Sequence, residues 1–229
     1  MRIAIIPARG GSQRIPRKNI KPFCGQPMLA WSIQAAKNSN CFDQIFVSTD
    51  DEEIASVAQQ KGATLPFIRP AELSDNHTGT GPVVKHAIRH LEESGLSIDQ
   101  ICCIYATAPF VQAEDLQNAL DILEKTNASY VFSATSFPFP IQRAIRKTND
   151  GGCAPIFPEH ISKRSQDLEE AFHDAGQFYW GKKDAWLSSE SVFSPESRMY
   201  LLPRWRVQDI DTLEDWERAE RLFTAFHSN

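Results

Sequence analysis

The chain has 229 residues and a mass of 25.8 kDa, with 41% hydrophobic, 23% charged and 10% aromatic residues. This fits a single α/β domain over residues 1–229 with a sizeable core, and it excludes a disordered chain. A mean hydropathy of -0.37 argues against a membrane protein, and a net charge of -5 argues against a nucleic-acid binder.

Short apolar runs alternate with helical periodicity along most of the chain. We predict strands over residues 3–6, 44–48, 65–68, 101–105 and 129–134. We predict helices over residues 27–37, 52–61, 82–94 and 114–125, with Asp50 or Asp51 capping the second helix. This alternation indicates an α/β fold, a mostly parallel sheet with helices on both faces.

Residues 137–175 interrupt the pattern with four prolines and an Asn149-Asp150-Gly151-Gly152 turn. We predict a hairpin of residues 141–147 with 153–157, inserted away from the main sheet. Beyond it we predict a strand at 178–180, a short helix from Lys183, a strand at 199–202 and a helix over 213–226. The insertion has little core to pack on, so its apolar side chains are expected to meet a partner subunit in a homodimer.

The first 42 residues contain seven Lys or Arg and no acidic residue. Directly after the first strand, Gly10, Gly11 and Ser12 can bring backbone N–H groups close to an anion, while Arg9 and Lys18 supply charge. The loop therefore predicts a phosphate site, with a basic surface loop as the alternative. The patterns GxxxxGK[ST] and GxGxxG are missing, which argues against a P-loop ATPase and a Rossmann dehydrogenase.

Two carboxylates, Asp209 and Asp211, are spaced i, i+2 near the C-terminus. In an extended segment they project to the same side, and their oxygens suit Mg²⁺ bound together with phosphates. The alternative is a turn in which Asp211 or Thr212 caps the last helix.

The loop sequence IPARGGSQRIPRKNI at 6–20 resembles the CTP-binding signature of the sugar-acid cytidylyltransferases, which activate sialic, legionaminic, pseudaminic and ketodeoxyoctulosonic acids as CMP-sugars. Further matches follow in order: VSTDDEEIA at 47–55, RPAEL at 69–73, and QDIDTLEDW at 208–216. The resemblance implies a Rossmann-like nucleotide-diphospho-sugar transferase fold and a homodimer in which the 137–175 segment crosses to the partner.

The resemblance also implies roles for individual residues. CTP would contact Ala8, Arg9, Gly10, Gly11, Ser12, Lys18, Asn19, Arg69 and Thr80. Arg9, Lys18, Asp209 and Asp211 would be catalytic, with the two aspartates holding Mg²⁺. The sugar would contact Tyr105, Thr107, Lys163, Arg164 and Gln177. One departure is Gln13, where the family usually has Lys, although Arg14 follows directly.

Two stretches, CCIYATAP at 102–109 and FHDAGQFYWG at 172–181, look like the branch of the family that uses pseudaminic acid. Tyr105 stands where enzymes for sialic acid typically have Gln, and Phe178 and Trp180 could be pocket or core residues. We therefore expect CTP and pseudaminic acid, a nine-carbon 2-keto sugar acid, to give CMP-pseudaminic acid and pyrophosphate for surface-glycan or flagellin glycosylation. The alternatives are a sialic or legionaminic acid synthetase, a non-catalytic nucleotide-binding module and a glycosyltransferase.

Five cysteines, an odd number without a CxxC pair, are typical of a reduced cytoplasm and argue against a disulfide framework. The N-terminal segment turns basic after only four apolar residues, so we do not expect a signal peptide. The sequence thus predicts a cytoplasmic enzyme without a membrane or nucleic-acid partner.

Overall fold

A computed structural model describes residues 1–75, 77–188 and 190–227. The strands in chain order are β1 (Arg2–Pro7), β2 (Pro22–Phe23), β3 (Gln26–Pro27), β4 (Gln44–Ser48), β5 (Gln100–Ile104), β6 (Tyr130–Ser136), β7 (Ile145–Lys147), β8 (Cys153–Pro155), β9 (Phe172–Lys182) and β10 (Ser197–Leu201). The α-helices are α1 (Met28–Ser39), α2 (Glu52–Gln60), α3 (Thr80–Glu93), α4 (Ala113–Thr126), α5 (Lys183–Leu187) and α6 (Leu213–His227).

Six strands form the main sheet in the order β10-β6-β9-β5-β1-β4. Within it, β9 runs antiparallel to both of its neighbours and the other pairs are parallel. This confirms the predicted α/β class with a mostly parallel sheet.

Alternate residues of β1 enter two different cores, as the period of a strand requires. Ala4 and Ile6 pack with α1, α2 and α4 on one face, while Ile3 and Ile5 pack with α3 and α5 on the other. A third cluster joins α6 to the loop after β1 through Ile15 and other buried side chains. The predicted helices on both faces are therefore confirmed.

The predicted strand over 65–68 is wrong. Only Thr64 makes a β-bridge, to Phe46, before the backbone leaves the sheet. Pro66 has no N–H to contribute to a ladder, which explains the early end of the pairing. The segment instead returns at Arg69, whose backbone N–H donates to Thr49 O at 2.7 Å and so reaches the end of β4.

The 11-residue strand β9 is much longer than the predicted strand over 178–180. Its register shifts between Phe132 and Ala134 of β6, which pair with Tyr179 and Asp174, so residues 175–178 form a bulge opposite Ser133. Ser133 Oγ satisfies this bulge: it accepts from the backbone N–H groups of residues 177 and 178 and donates to the carbonyl of residue 178.

The segment 137–175 contains the predicted hairpin in a shorter form. Strands β7 and β8 pair antiparallel around the Asn149–Gly152 turn, while Ile141–Arg143 form a 3₁₀ turn instead of strand. The last residues of the segment belong to β9 and pair with β6.

None of the helices in the described part of the chain has the length and apolar character that a membrane span requires.

Candidate active site

A cavity of about 520 Å³ opens at the carboxyl ends of β1 and β5, where ligands bind in open α/β sheets. Its walls come from the loop after β1, the segment from Arg69 to Val83, the residues after β5, and Asp211. Of the predicted site residues, it brings together Arg9, Ser12, Lys18, Asn19, Arg69, Thr80, Tyr105, Thr107 and Asp211.

The backbone at the start of the loop after β1 is fixed by one side chain from outside the loop, Asp50, and by one from within it, Asn19. Gly10 N donates to Asp50 Oδ1 at 3.0 Å, and the buried Asn19 donates from Nδ2 to Arg9 O at 2.8 Å. A Cβ on Gly10 would lie 2.8 Å from Asp51 Oδ2, so glycine is required there for close approach. Ala8 is buried behind the loop, and a Cβ on Gly11 would meet nothing within 4 Å.

The far end of this loop is tied to α2 by an ion pair. Arg17 contacts both Asp51 and Glu53, and Asp51 also caps α2 by accepting from Ile54 N at 2.9 Å. The hydrogen bond from Arg17 lowers the pKa of the Asp51 carboxyl to about 2. The cap was predicted from the sequence, but its second role in fixing the loop was not.

Arg69 forms a nearly buried wall of the cavity. Its Nε donates to Ser74 Oγ at 3.1 Å and its Nη2 lies 3.5 Å from Asp50 Oδ1. Burial lowers the pKa of the Arg69 guanidinium. Asp50 therefore bridges Arg69 and the Gly10 N–H, a link between the two walls that sequence reasoning missed.

The cavity is rich in cations, three of which come from the loop after β1. Arg9 Nη1 donates to Asp75 O at 2.6 Å, a contact that could not be predicted from the sequence. Arg14 Nη2 lies 2.6 Å from Asp211 Oδ2, and Lys18 Nζ lies 3.2 Å from Asp211 Oδ1. With Gln13 also on the wall, this arrangement suits a polyanion.

The two predicted metal ligands occupy different environments. Asp211 lies on the cavity wall, whereas Asp209 is exposed and is not among the described residues that line it. The cap of α6 is formed by Thr212, whose Oγ1 accepts from Asp215 N at 3.2 Å, so Asp211 is not needed for that role. Among the described residues, no group of three or more His, Cys, Asp or Glu is placed to hold a metal ion by itself.

Three residues predicted to contact the sugar do not line the cavity of this chain. Gln177 is buried and donates from Nε2 to Arg206 O at 2.7 Å. Lys163 and Arg164 are exposed in the 137–175 segment, where Arg164 pairs with Asp167 at 2.9 Å. Phe178 and Trp180, left open as pocket or core, are fully buried core residues.

The sequence of this chain is similar to those of known cytidylyltransferases. The family model described as "Cytidylyltransferase" matches residues 3–175. The pseudaminic acid cytidylyltransferase of Campylobacter jejuni is 43% identical over 227 residues, covering 99% of this chain and 98% of that protein. The CMP-N,N'-diacetyllegionaminic acid synthase of Legionella pneumophila is 30% identical, covering 96% and 95%.

Among solved structures, the fold is similar to that of a CMP:2-keto-3-deoxy-manno-octonic acid synthetase complexed with CTP. The TM-score is 0.70 at 16% identity, and the likeness covers 98% of this chain and 99% of the other. The family model matches 173 residues of this chain, and these include the glycine-rich basic loop that borders the cavity at the end of β1. The chain belongs to the cytidylyltransferase family.

Proposed function

We propose that the protein joins CTP and pseudaminic acid to give CMP-pseudaminic acid and pyrophosphate. The observation that carries this proposal is the 43% identity to a pseudaminic acid cytidylyltransferase over nearly the full length of both chains. The cavity agrees with it, because its lining combines the cations of the loop after β1 with Tyr105 and Thr107.

In this reaction the anomeric hydroxyl oxygen of the sugar forms a bond to the α-phosphorus as the bond from that phosphorus to the β-phosphate oxygen breaks. The hydroxyl proton passes to solvent, and pyrophosphate leaves with the electron pair of the broken bond. Arg9 and Lys18 would stabilise the charge on the α-phosphate and on the departing pyrophosphate, electrostatic support worth about 3 kcal/mol for each well-placed donor. Arg69 and Thr80 would hold the nucleoside, as the family resemblance implies, since both line the cavity.

We further propose that Mg²⁺ binds Asp211 with help from Asp209. The donor set fits, because carboxylate oxygens are hard ligands and Mg²⁺ usually takes one or two of them alongside substrate phosphates and water. Asp211 lies on the cavity wall next to the cationic loop, whereas Asp209 is two residues away and exposed. When bound, the ion would neutralise phosphate charge and lower the pKa of the attacking hydroxyl.

A pyrophosphate-release assay over four nucleoside triphosphates and a panel of sugar acids tests the function. Of the four nucleoside triphosphates, we expect only CTP to support turnover. We expect the kcat/KM for pseudaminic acid to be well above that for N-acetylneuraminic or legionaminic acid. Tyr105→Gln, which restores the residue typical of sialic acid enzymes, should reduce this preference. Equal or better turnover of N-acetylneuraminic acid by the unaltered protein would contradict the choice of sugar. Failure to release pyrophosphate from CTP with any sugar acid would contradict the reaction itself.

We also propose that the 137–175 segment forms the interface of a homodimer. Phe139 is 80% exposed, Ile145 65% and Ile156 49%, and a groove beside them is lined by Phe137 and Ile141. Such a concentration of exposed apolar side chains is typical of an interface. If Lys163 and Arg164 serve the sugar, as the family resemblance implies, they would then serve the cavity of the partner subunit.

Light scattering is expected to report twice the chain mass of 25.8 kDa at micromolar concentration. Phe139→Glu with Ile145→Glu should shift the protein to monomer, because two charges would be buried in the interface. Met199→Glu is the matched control, since Met199 is 44% exposed on β10, outside the segment, and should leave the mass unchanged. A single-chain mass for the unaltered protein would contradict the dimer.

We propose that the reaction takes place in the cytoplasm. The proposal rests on the odd number of cysteines without a CxxC pair, which is typical of proteins from a reducing compartment.

A further inference from the structure

A buried charged residue, Arg206, lies five residues before Asp211. The side chain of Arg206 is 7% exposed and forms an ion pair with Asp115, whose side chain is 6% exposed. The other terminal nitrogen of the guanidinium donates to Gln112 Oε1. Gln112 and Asp115 form the capping box of α4, so the side chain of Arg206 is fixed to the start of that helix.

The backbone of Arg206 is held by a different element. Gln177 is 4% exposed, and its Nε2 donates to Arg206 O at 2.7 Å. Gln177 belongs to the bulge of β9, where its own backbone N–H donates to Ser133 Oγ. The side chain and the carbonyl of Arg206 are therefore anchored separately, one to α4 and the other to β9.

Residues 207–211, the aspartate segment, depend on such anchors. The backbone N–H groups of residues 208–210 donate to no backbone carbonyl of the described residues. The next fixed point after Arg206 is Ile210, which is 3% exposed in the cluster that joins α6 to the loop after β1. Four residues of chain span at most about 14 Å, so Asp209 is held on a short tether between two buried anchors.

We propose that Gln177 and Arg206 are positioning residues for the aspartate segment, and that Gln177 does not contact the sugar. Mg²⁺ requires nearly ideal octahedral geometry, so Asp209 and Asp211 can serve one ion only while the segment keeps its course. This inference rests on the proposed function, because the ion proposed for Asp209 and Asp211 is what requires a fixed segment.

Gln177→Met removes the donor to Arg206 O and nearly preserves the volume of the side chain. Gln177 Oε1 is buried without a hydrogen-bond partner among the described residues, so the variant also loses an unsatisfied acceptor and should remain folded. Hydrogen exchange is measured without substrate or metal. It should be about fivefold to tenfold faster at the amides of Arg206, Val207 and Asp211, which all donate hydrogen bonds in the structure.

Kinetics of Gln177→Met separate positioning from sugar binding. The Mg²⁺ concentration for half-maximal pyrophosphate release should rise about tenfold, the loss typical when a residue that orients metal ligands is removed. The KM for pseudaminic acid at saturating Mg²⁺ should not change. Arg206→Lys keeps the charge opposite Asp115 without the fork that also reaches Gln112, and it should shift the Mg²⁺ requirement in the same direction.

Thr135→Val is the matched control. Thr135 is 2% exposed and its Oγ1 donates to Leu202 O at 2.8 Å, so this variant also loses one buried hydrogen bond to a backbone carbonyl. Leu202 keeps a second anchor, because its backbone N–H donates to Ala134 O at 2.8 Å. We expect thermal unfolding to change as in Gln177→Met, with unaltered exchange in the aspartate segment and an unaltered Mg²⁺ requirement.

Faster exchange in Gln177→Met together with a raised Mg²⁺ requirement supports the inference. An unchanged Mg²⁺ requirement would overturn it, and a raised KM for the sugar in that case would return Gln177 to the sugar site. Equal effects in Thr135→Val and Gln177→Met would also overturn it, since they would show a general loss of stability. If the unaltered protein releases no pyrophosphate from CTP, the proposed function fails, and unchanged exchange in Gln177→Met is then the result that also overturns the positioning role.

Discussion

Replacing Asp211 by alanine is expected to lower kcat at least about a hundredfold, the range seen when one group that stabilises charge in a transition state is lost. The substitution removes the proposed metal ligand from the cavity wall and leaves Arg14 and Lys18 without their carboxylate partner. Both contacts lie near the surface, so the free energy of unfolding should fall by only about 1 kcal/mol or less. The measurement is pyrophosphate release against Mg²⁺ concentration, with chemical denaturation alongside.

Asp209→Ala is the internal comparison, and it should be less damaging because Asp209 is exposed and further from the cavity. Asp211→Asn keeps the shape of the side chain and should resemble the alanine variant, since it is the charge that the ion needs. EDTA should abolish activity in the unaltered protein. Near-normal rates for Asp211→Ala at low millimolar Mg²⁺ would remove Asp211 from the metal site.

Arg9→Ala should depress kcat and kcat/KM together, by about a hundredfold to a thousandfold, because the guanidinium is expected to act on charge that develops in the transition state. The backbone of the loop should survive the change. Arg9 O is held by the buried side chain of Asn19 at 2.8 Å, a contact that does not involve the guanidinium. Steady-state kinetics with both substrates varied would separate kcat from the two KM values.

Arg9→Lys tests whether charge alone is sufficient. Lysine restores the positive charge without the planar fork that grips two phosphate oxygens, so we expect partial recovery. Arg221→Ala is the matched control, because Arg221 is an exposed residue of α6 that pairs only weakly with Glu217. An Arg9→Ala enzyme with a raised KM for the sugar and an unchanged kcat would mean that the triphosphate lies elsewhere.

Most of the main sheet could be predicted because its strands are short apolar runs with clear ends. The runs at β1, β4 and β5 are buried on both faces, and the residues that follow them are polar or contain turn signals. Residues 65–68 have a similar composition, yet the partner edge beyond β4 is used only at Thr64. Composition could not reveal this, because pairing depends on where the chain turns after Thr64.

The long strand β9 shows a second limit of prediction from the sequence. Residues 172–177 include His, Asp and Gly and have no strand periodicity. Residues 172–174 pair with β6 only because a bulge absorbs the mismatch in register. For the same reason the sequence could not show that Gln177 faces Arg206 instead of the cavity.

The phosphate loop could be predicted because its glycines and cations are contiguous in sequence. The residues that hold the loop in place, Asp50 and Asp75, could not be predicted, because they come from distant segments and each contacts the loop through a single atom. Asp50 reaches the loop because it follows β4, which pairs with β1.

The position of β9 has a consequence for how the chain is made. Strands β5 and β6 do not pair with each other, and β9 lies between them. Until residue 172 leaves the ribosome, both strands therefore expose unpaired edges of apolar sequence, which are sites of aggregation in a nascent chain. Closing this gap requires β9 to join strands that were made 30 or more residues earlier, a long-range step of the kind that slows folding. A chain truncated before β9 would be expected to require a chaperone, and β9 is the element whose arrival completes the sheet.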